Sequence, residues 1–243
     1  MHLWVTRPNS DAAATARQLA AASHQVLVAP LLTIQPLPLP PLALRDFDGV
    51  IITSRNGARR LIALSSERRL PVYAVGAATG ELLRQAGFET VRAAEGDLAS
   101  LRQLLRRELP PGGGHLLHLC GRHRAGDPAA GLTGLGYSVT PLEAYDSQLV
   151  ESLPPTVRTS IAKSQLDGVL LFSPRTAKSL TLAMEKSELS SQCRKMVAFC
   201  LSDKVAQVVR LLPWRQVIVA RAPEQDSLLA AVARFAAQQA KPD

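Results

Sequence analysis

Short apolar runs alternate along this chain with segments whose apolar positions recur every three or four residues. Leu3–Thr6, Val26–Ala29, Asp48–Thr53, Val72–Val75, Thr90–Ala93, His115–Cys120, Ser138–Tyr145, Asp167–Phe172, Met196–Cys200 and Gln216–Ala220 have the length and character of buried strands. Between them lie helical patterns: an Ala-rich stretch reaching about Ser23, then Asn56–Leu64, Gly76–Gln85, Leu98–Leu109 and a final Ser227–Gln238. Ser10 or Asp11 is placed to cap the first, and Gly87 to close the third in the left-handed region. Leu98, Leu101, Leu104, Leu105 and Leu109 share one face of the fourth. A Gly-containing helix is expected between Cys120 and Ser138, and Leu31–Pro38 reads as an extended, Pro-studded segment. Strand–helix–strand alternation predicts parallel sheets with right-handed crossovers.

The pattern occurs twice. Asp48-Gly49-Val50, Ser54, Ala58 and Leu61 match Asp167-Gly168-Val169, Ser173, Ala177 and Leu180, all at an offset of 119. Thr6-Arg7 resembles Gly121-Arg122 at an offset of 115, Pro30-Leu31 resembles Pro141-Leu142 at 111, and Ala74–Thr79 aligns loosely with Ala198–Asp203 at 124. The chain therefore reads as two copies of a five-strand α/β unit of the doubly wound, flavodoxin-like kind. Taken as a plain tandem repeat, it would divide at Pro110–Gly114.

Composition narrows the class. The 243 residues are 47% hydrophobic and 20% charged, a globular balance, and only 4% aromatic, so Leu, Val, Ile and Ala must build the cores. No apolar run approaches the roughly 18 residues that cross a bilayer. Met1–Pro8 carries Arg7 and no signal-peptide hydrophobic stretch, so a cytoplasmic protein with no membrane partner is expected. Cys120, Cys193 and Cys200 form no C-x-x-C pair, and His115 and His118 point to opposite faces of a strand. Neither a disulfide nor a metal is expected. The net charge of +8 points to an anionic partner, although a solvated basic surface explains it equally well. The excess is spread out: thirteen Arg face ten acids across 39–145, and fifteen basic residues face ten acids elsewhere. With no basic stripe and few aromatic platforms, a nucleic-acid partner is not expected.

Ligands of doubly wound sheets lie beyond the carboxyl ends of the strands. Those ends are Thr6-Arg7, Ser54-Arg55-Asn56, Gly76–Thr79, Gly121-Arg122, Ser173-Pro174-Arg175 and Cys200–Lys204. They are small, hydroxylated or basic, and helix N-termini there favour carboxylate or phosphate. Ser54 and Ser173 also read simply as helix N-caps, worth about 1 kcal/mol each. Gly-rich phosphate loops, a nucleophile elbow and an assemblable Ser/His/acid set are all missing from the sequence, and His123 reads more readily as a loop residue than as a base. So few catalytic groups suit a substrate that is itself reactive and a protein that holds it in shape. Tyr145, beside Asp146 at the end of Val139–Tyr145, stands apart, although strand propensity alone would account for it.

In order, VTRP (Val5–Pro8), VAPLLTI (Val28–Ile34), DGVIITSRNGA (Asp48–Ala58), AVGAATGELLRQAGF (Ala74–Phe88), LCGR (Leu119–Arg122), LGYSVTPLEAY (Leu135–Tyr145) and DGVLLFSPRTA (Asp167–Ala177) resemble the uroporphyrinogen-III synthase family. The resemblance implies two doubly wound, flavodoxin-like parallel-sheet domains. One combines 1–35 with 148–243, the other is 39–141, and the linker strands 31–38 and 142–150 pair as a two-stranded bridge beside a long cleft. It implies a cofactor-free monomeric lyase that takes hydroxymethylbilane, a linear tetrapyrrole polyacid, from the enzyme that makes it. Loss of the terminal hydroxyl gives an azafulvene; ring D attacks through its substituted α-carbon, and a spiro intermediate rearranges so that ring D ends inverted. Backbone amides together with Arg7, Arg122 and Arg175 would bind carboxylates, aided by Ser54, Asn56, Thr79, Gly121, Ser173, Ser202 and Lys204, and Tyr145 matches the family tyrosine suspected of helping the hydroxyl leave. Phe199–Lys204 departs from the family's V-G-x-T-T-A, putting Asp203 at a usual Thr, and His24 stands at a usual helix-ending Gly. The alternatives are a non-catalytic relative binding a tetrapyrrole or other polyanion, a two-domain sugar-binding protein, and a flavin protein. The last two lack cleft aromatics and a phosphate loop respectively.

Overall fold

The computed structural model describes residues 1–39, 43–95, 97–109, 114–123, 126–129, 132, 134 and 136–239, the Ser10 side chain apart. In chain order the elements are β1 (His2–Val5), α1 (Asn9–Ala21), β2 (Gln25–Val28), β3 (Leu32–Pro36), β4 (Gly49–Ile52), α2 (Arg55–Leu64) and β5 (Val72–Val75). Next come α3 (Ala77–Gln85), β6 (Val91–Ala94), α4 (Leu98–Glu108), β7 (His115–Gly121) and β8 (Ser138–Leu149). The chain ends with α5 (Pro155–Ala162), β9 (Gly168–Leu171), α6 (Pro174–Lys186), β10 (Val197–Cys200), α7 (Asp203–Val209), β11 (Gln216–Val219) and α8 (Gln225–Gln239).

The chain forms two compact units, Met1–Thr33 with Gln148–Asp243, and Ile34–Ser147. In the first, the sheet order β2-β1-β9-β10-β11 is parallel throughout, the doubly wound order 2-1-3-4-5. In the second, β8-β7-β4-β5-β6 has the same parallel order, with β3 added beside β8. Its first two strands in that order, β7 and β8, come from the second sequence copy, and the other three come from the first. Each unit is thus assembled from both halves of the repeat. β3 and β8 carry the chain between the units: Leu37 N–H donates to Ala144 C=O at 3.0 Å, and Val150 N–H to Leu31 C=O at 3.1 Å. The pairing therefore runs antiparallel.

Alternation along the strands builds two cores in each unit. In the first unit Leu3, Val5, Leu170, Val197 and Phe199 face Ala12 and Leu19 of α1 and Leu228, Val232 and Phe235 of α8. Trp4, Val169, Leu171 and Ala198 face the other way, onto α5, α6 and α7, and the Trp4 indole donates to Ala29 C=O at 2.8 Å. In the second unit Val50, Ile52, Leu117 and Leu119 pack on α2 and α3, while Ile51, Tyr73 and Leu116 pack on α4. Each fully buried Leu or Ile contributes about 1.5–3 kcal/mol.

The repeated Asp-Gly has a structural role. Asp48 Oδ2 accepts the N–H of His115 at 2.7 Å, and Asp167 Oδ2 that of His2 at 2.7 Å, so each Asp ties its own copy to a strand of the other. A Cβ on Gly49 would stand 2.8 Å from the Tyr73 ring, and one on Gly168 2.9 Å from the Phe199 ring.

Several expectations are corrected. α1 starts at Asn9 with Pro8 as its N-cap and no side chain closing it, so Asp11 lies inside the first turn. The left-handed residue ending α1 is Ser23, with φ of 61°, not His24, whose N–H reaches back to Leu19 C=O at 3.0 Å. β8 continues to Leu149, so Tyr145 sits within a strand rather than at its end. The Gly-containing helix expected between Cys120 and Ser138 falls on a segment of which Arg124, Ala125, Ala130, Gly131, Thr133 and Leu135 lie outside the described residues. The Pro110–Gly113 break also lies outside it. Among the described residues no helix is long and apolar enough to cross a membrane.

Candidate active site

In the order 2-1-3-4-5 the strand order reverses between strands 1 and 3, and the turns beyond their carboxyl ends flank a natural crevice. In the Ile34–Ser147 unit those strands are β7, ending at Gly121, and β4, followed by Ser54. Tyr145 crosses to this point from β8. A bulge between Cys120 and Gly121 shifts the register so that Gly121 faces Tyr145. The ring lies against Gly121 so closely that a Cβ there would stand 2.7 Å from its Cε2 and Cζ. Arg122 N–H donates to Tyr145 C=O at 2.9 Å. Arg60 of α2 fixes the neighbouring backbone, donating to Ala144 C=O at 3.0 Å and Leu37 C=O at 2.7 Å.

Ser54 caps α2, its Oγ accepting Gly57 N–H at 3.0 Å, and the same Oγ lies 2.8 Å from the Tyr145 hydroxyl. Tyr145 is 8% exposed. Burial pushes its phenol above the usual tyrosine value, and the Ser54 hydrogen bond pulls part of that back. It is therefore a neutral phenol at working pH, able to give a proton but not to serve as a resting base.

The other expected residues of this unit are distributed around that pair. Asn56, in the first turn of α2, accepts from Arg59 Nη1 at 3.2 Å. Thr79 is buried in the first turn of α3, behind Gly76, whose φ is 84°. Arg122 is half exposed and already faced by two carboxylates, Glu143 at 3.5 Å and Asp146 at 3.6 Å. His123 lies 3.6 Å from Asp146.

The corresponding point of the other unit lies between β1 and β9, and it is filled. Arg7 is 6% exposed. Its guanidinium lies over the Phe172 ring at 4.2 Å, donates to Thr15 at 3.1 Å and Gln225 at 2.5 Å, and pairs with Asp11 at 3.7 Å. Ser173 caps α6 through Thr176 N–H at 3.1 Å, and its hydroxyl pairs with Thr176 Oγ1 at 2.8 Å, where the first copy has Tyr145. Arg175 is half-buried in the first turn of α6. Ser202 is the N-cap residue of α7 with no side-chain capping bond, and Asp203 and Lys204 beside it are exposed. Among the described residues no group of three or more His, Cys, Asp or Glu could hold a metal ion.

The structure thus brings Ser54, Gly121 and Tyr145 together and turns Arg7 inward. Arg60 and the carboxylates around Arg122 were not legible as site residues. Arg7-x-x-x-Asp11 was a visible i, i+4 pair, whereas nothing in the sequence linked Arg7 to Gln225, some two hundred residues away.

Two solved structures share this two-domain α/β class. A uroporphyrinogen-III synthetase from Helicobacter pylori 26695 is 16% identical, with a TM-score of 0.66 over 96% of this chain and 98% of that one. A mutant uroporphyrinogen III synthase from the extremely thermophilic bacterium Thermus thermophilus is 16% identical, with a TM-score of 0.59 over 98% of this chain and 100% of that one. No curated protein matches the chain. The family model described as uroporphyrinogen-III synthase HemD matches residues 13–230, and the chain belongs to that family of tetrapyrrole-synthesising enzymes.

Proposed function

We propose that the chain closes hydroxymethylbilane into uroporphyrinogen III, inverting ring D and releasing water, a lyase reaction in which Tyr145 protonates the departing hydroxyl. Family membership supports the substrate. The observation that carries the chemistry is the buried phenol at the switch point, hydrogen-bonded to a helix-capping serine.

The leaving group is a hydroxyl on a carbon that the adjacent pyrrole nitrogen stabilises as a cation, so a modest proton donor is enough to start the reaction. What remains is geometric. Left to itself the bilane closes without inversion, and holding its ends in the arrangement for attack at the substituted carbon supplies several kcal/mol. On this reading the turns after β4, β5 and β7 receive carboxylates through N–H groups and the Asn56 and Arg122 side chains, with Thr79 shaping the α3 turn and the Ser54 hydroxyl engaged with Tyr145. Arg122 would exchange Glu143 and Asp146 for a substrate carboxylate. In the other unit Ser173, Arg175, Ser202 and Lys204 provide donors, and Arg7 acts from within, holding the β1 turn in shape. The test is to supply the bilane, oxidise the products and separate the porphyrin isomers. The inverted isomer is expected, and uninverted isomer alone would reject the reading.

A further inference from the structure

Resting on that reading, we infer that Ser54 is a positioning residue for Tyr145: it donates its hydroxyl proton to the phenol oxygen and leaves the tyrosine's own proton free for the departing group. Two contacts orient Ser54. Gly57 N–H, at 3.0 Å, fills one acceptor position of Oγ, and the Tyr145 oxygen lies 2.8 Å away. The Ser–Tyr pair can place its shared proton either way. If tyrosine donates, its proton is pinned between the two oxygens. If serine donates, that proton is available.

The reaction selects the second arrangement. As the carbon–oxygen bond breaks, its electron pair leaves with the oxygen, which takes the Tyr145 proton and departs as water. The phenolate left behind can only accept, and Ser54 is the donor already in place. A proton lost from the pyrrole ring as aromaticity returns restores the phenol, so the protons balance. The α2 N-terminus favours the transient negative charge through Gly57 N–H and Ser54.

The second copy shows what the arrangement requires. Ser173 caps α6 in the same way, but its hydroxyl pairs with Thr176, whereas the residue at that position in the first copy is Gly57. With no hydroxyl at position 57, Ser54 is left to the tyrosine.

The experiment is a double-mutant comparison on the full chain, with bilane as substrate. Ser54→Gly removes the hydroxyl but keeps a tolerated N-cap residue. It should lower kcat by roughly three- to tenfold with KM little changed, the range of one hydrogen bond, and should lower it no further in a Tyr145→Phe background. Ser54→Thr should restore most of the rate. The Tyr145 phenol carbon resonance, identified by its loss in Tyr145→Phe, should titrate at higher pH in Ser54→Gly and stay in place in Ser173→Ala. An equal loss from Ser54→Gly in both backgrounds, a rise in KM alone, or an unmoved titration would overturn the inference while leaving the reaction standing. Full turnover by Tyr145→Phe would remove the proposed role of Tyr145 itself.

Discussion

At the scale of single residues, the proposed chemistry depends on one tyrosine ring lying close against one glycine. Gly121→Ala sets a methyl 2.7 Å from the Tyr145 ring and must displace it. The expected result is a loss of about 1–3 kcal/mol in denaturant unfolding and a fall in kcat close to that of Tyr145→Phe, itself at least about tenfold. Because burial raises the Tyr145 pKa, the phenol stays protonated as pH rises, so no activity should be lost to its ionisation until above the ordinary value of 10.0. The thiols of Cys193 and Cys200 are fully buried and pushed up to about 12 from 9.0. Folding favours their protonated form, so that stabilisation is complete below pH 9.0 and is lost as pH climbs towards about 12. Both should resist an aromatic disulfide reagent at pH 8 and react on unfolding; rapid reaction in the native state would contradict their placement.

At the scale of elements, α1, α5 and α6 each close through a left-handed residue that is not glycine: Ser23, Ser164 and Glu188, with φ of 61°, 54° and 58°. Non-glycine residues in this region cost roughly 1–2 kcal/mol. Glu188→Gly should therefore raise the unfolding free energy by about 0.5–1 kcal/mol, and a drop would contradict the assignment. Strand positions and most helices were legible because two-sided burial writes apolar runs and amphipathic helices write a 3.6 period. Helix ends were less so. His24 was one residue from the true left-handed site, and Pro8 replaced Ser10 or Asp11 as the cap, because backbone dihedrals decide these and side-chain type only biases them. Ser54 was legible as a cap. Its bond to Tyr145 was not, since 91 residues and a bulge separate the two.

At the scale of the whole molecule, the repeat was visible in the Asp-Gly pairs, but residues alone favoured a division at Pro110–Gly114. Which copy lends strands to which sheet is set by long-range pairing, which has no local period. Among the described residues, each unit builds its apolar clusters from its own side chains. Residues 34–147 produced alone should accordingly unfold in one cooperative transition, whereas 1–109, which lacks β7 to β11, should not; a non-cooperative melt of 34–147 would contradict the division. Competition with spontaneous closure tests the proposed inversion of ring D. At fixed bilane concentration, the ratio of inverted to uninverted product is predicted to rise with added protein until the inverted isomer dominates. A ratio that stays at the protein-free value at every protein concentration would contradict it.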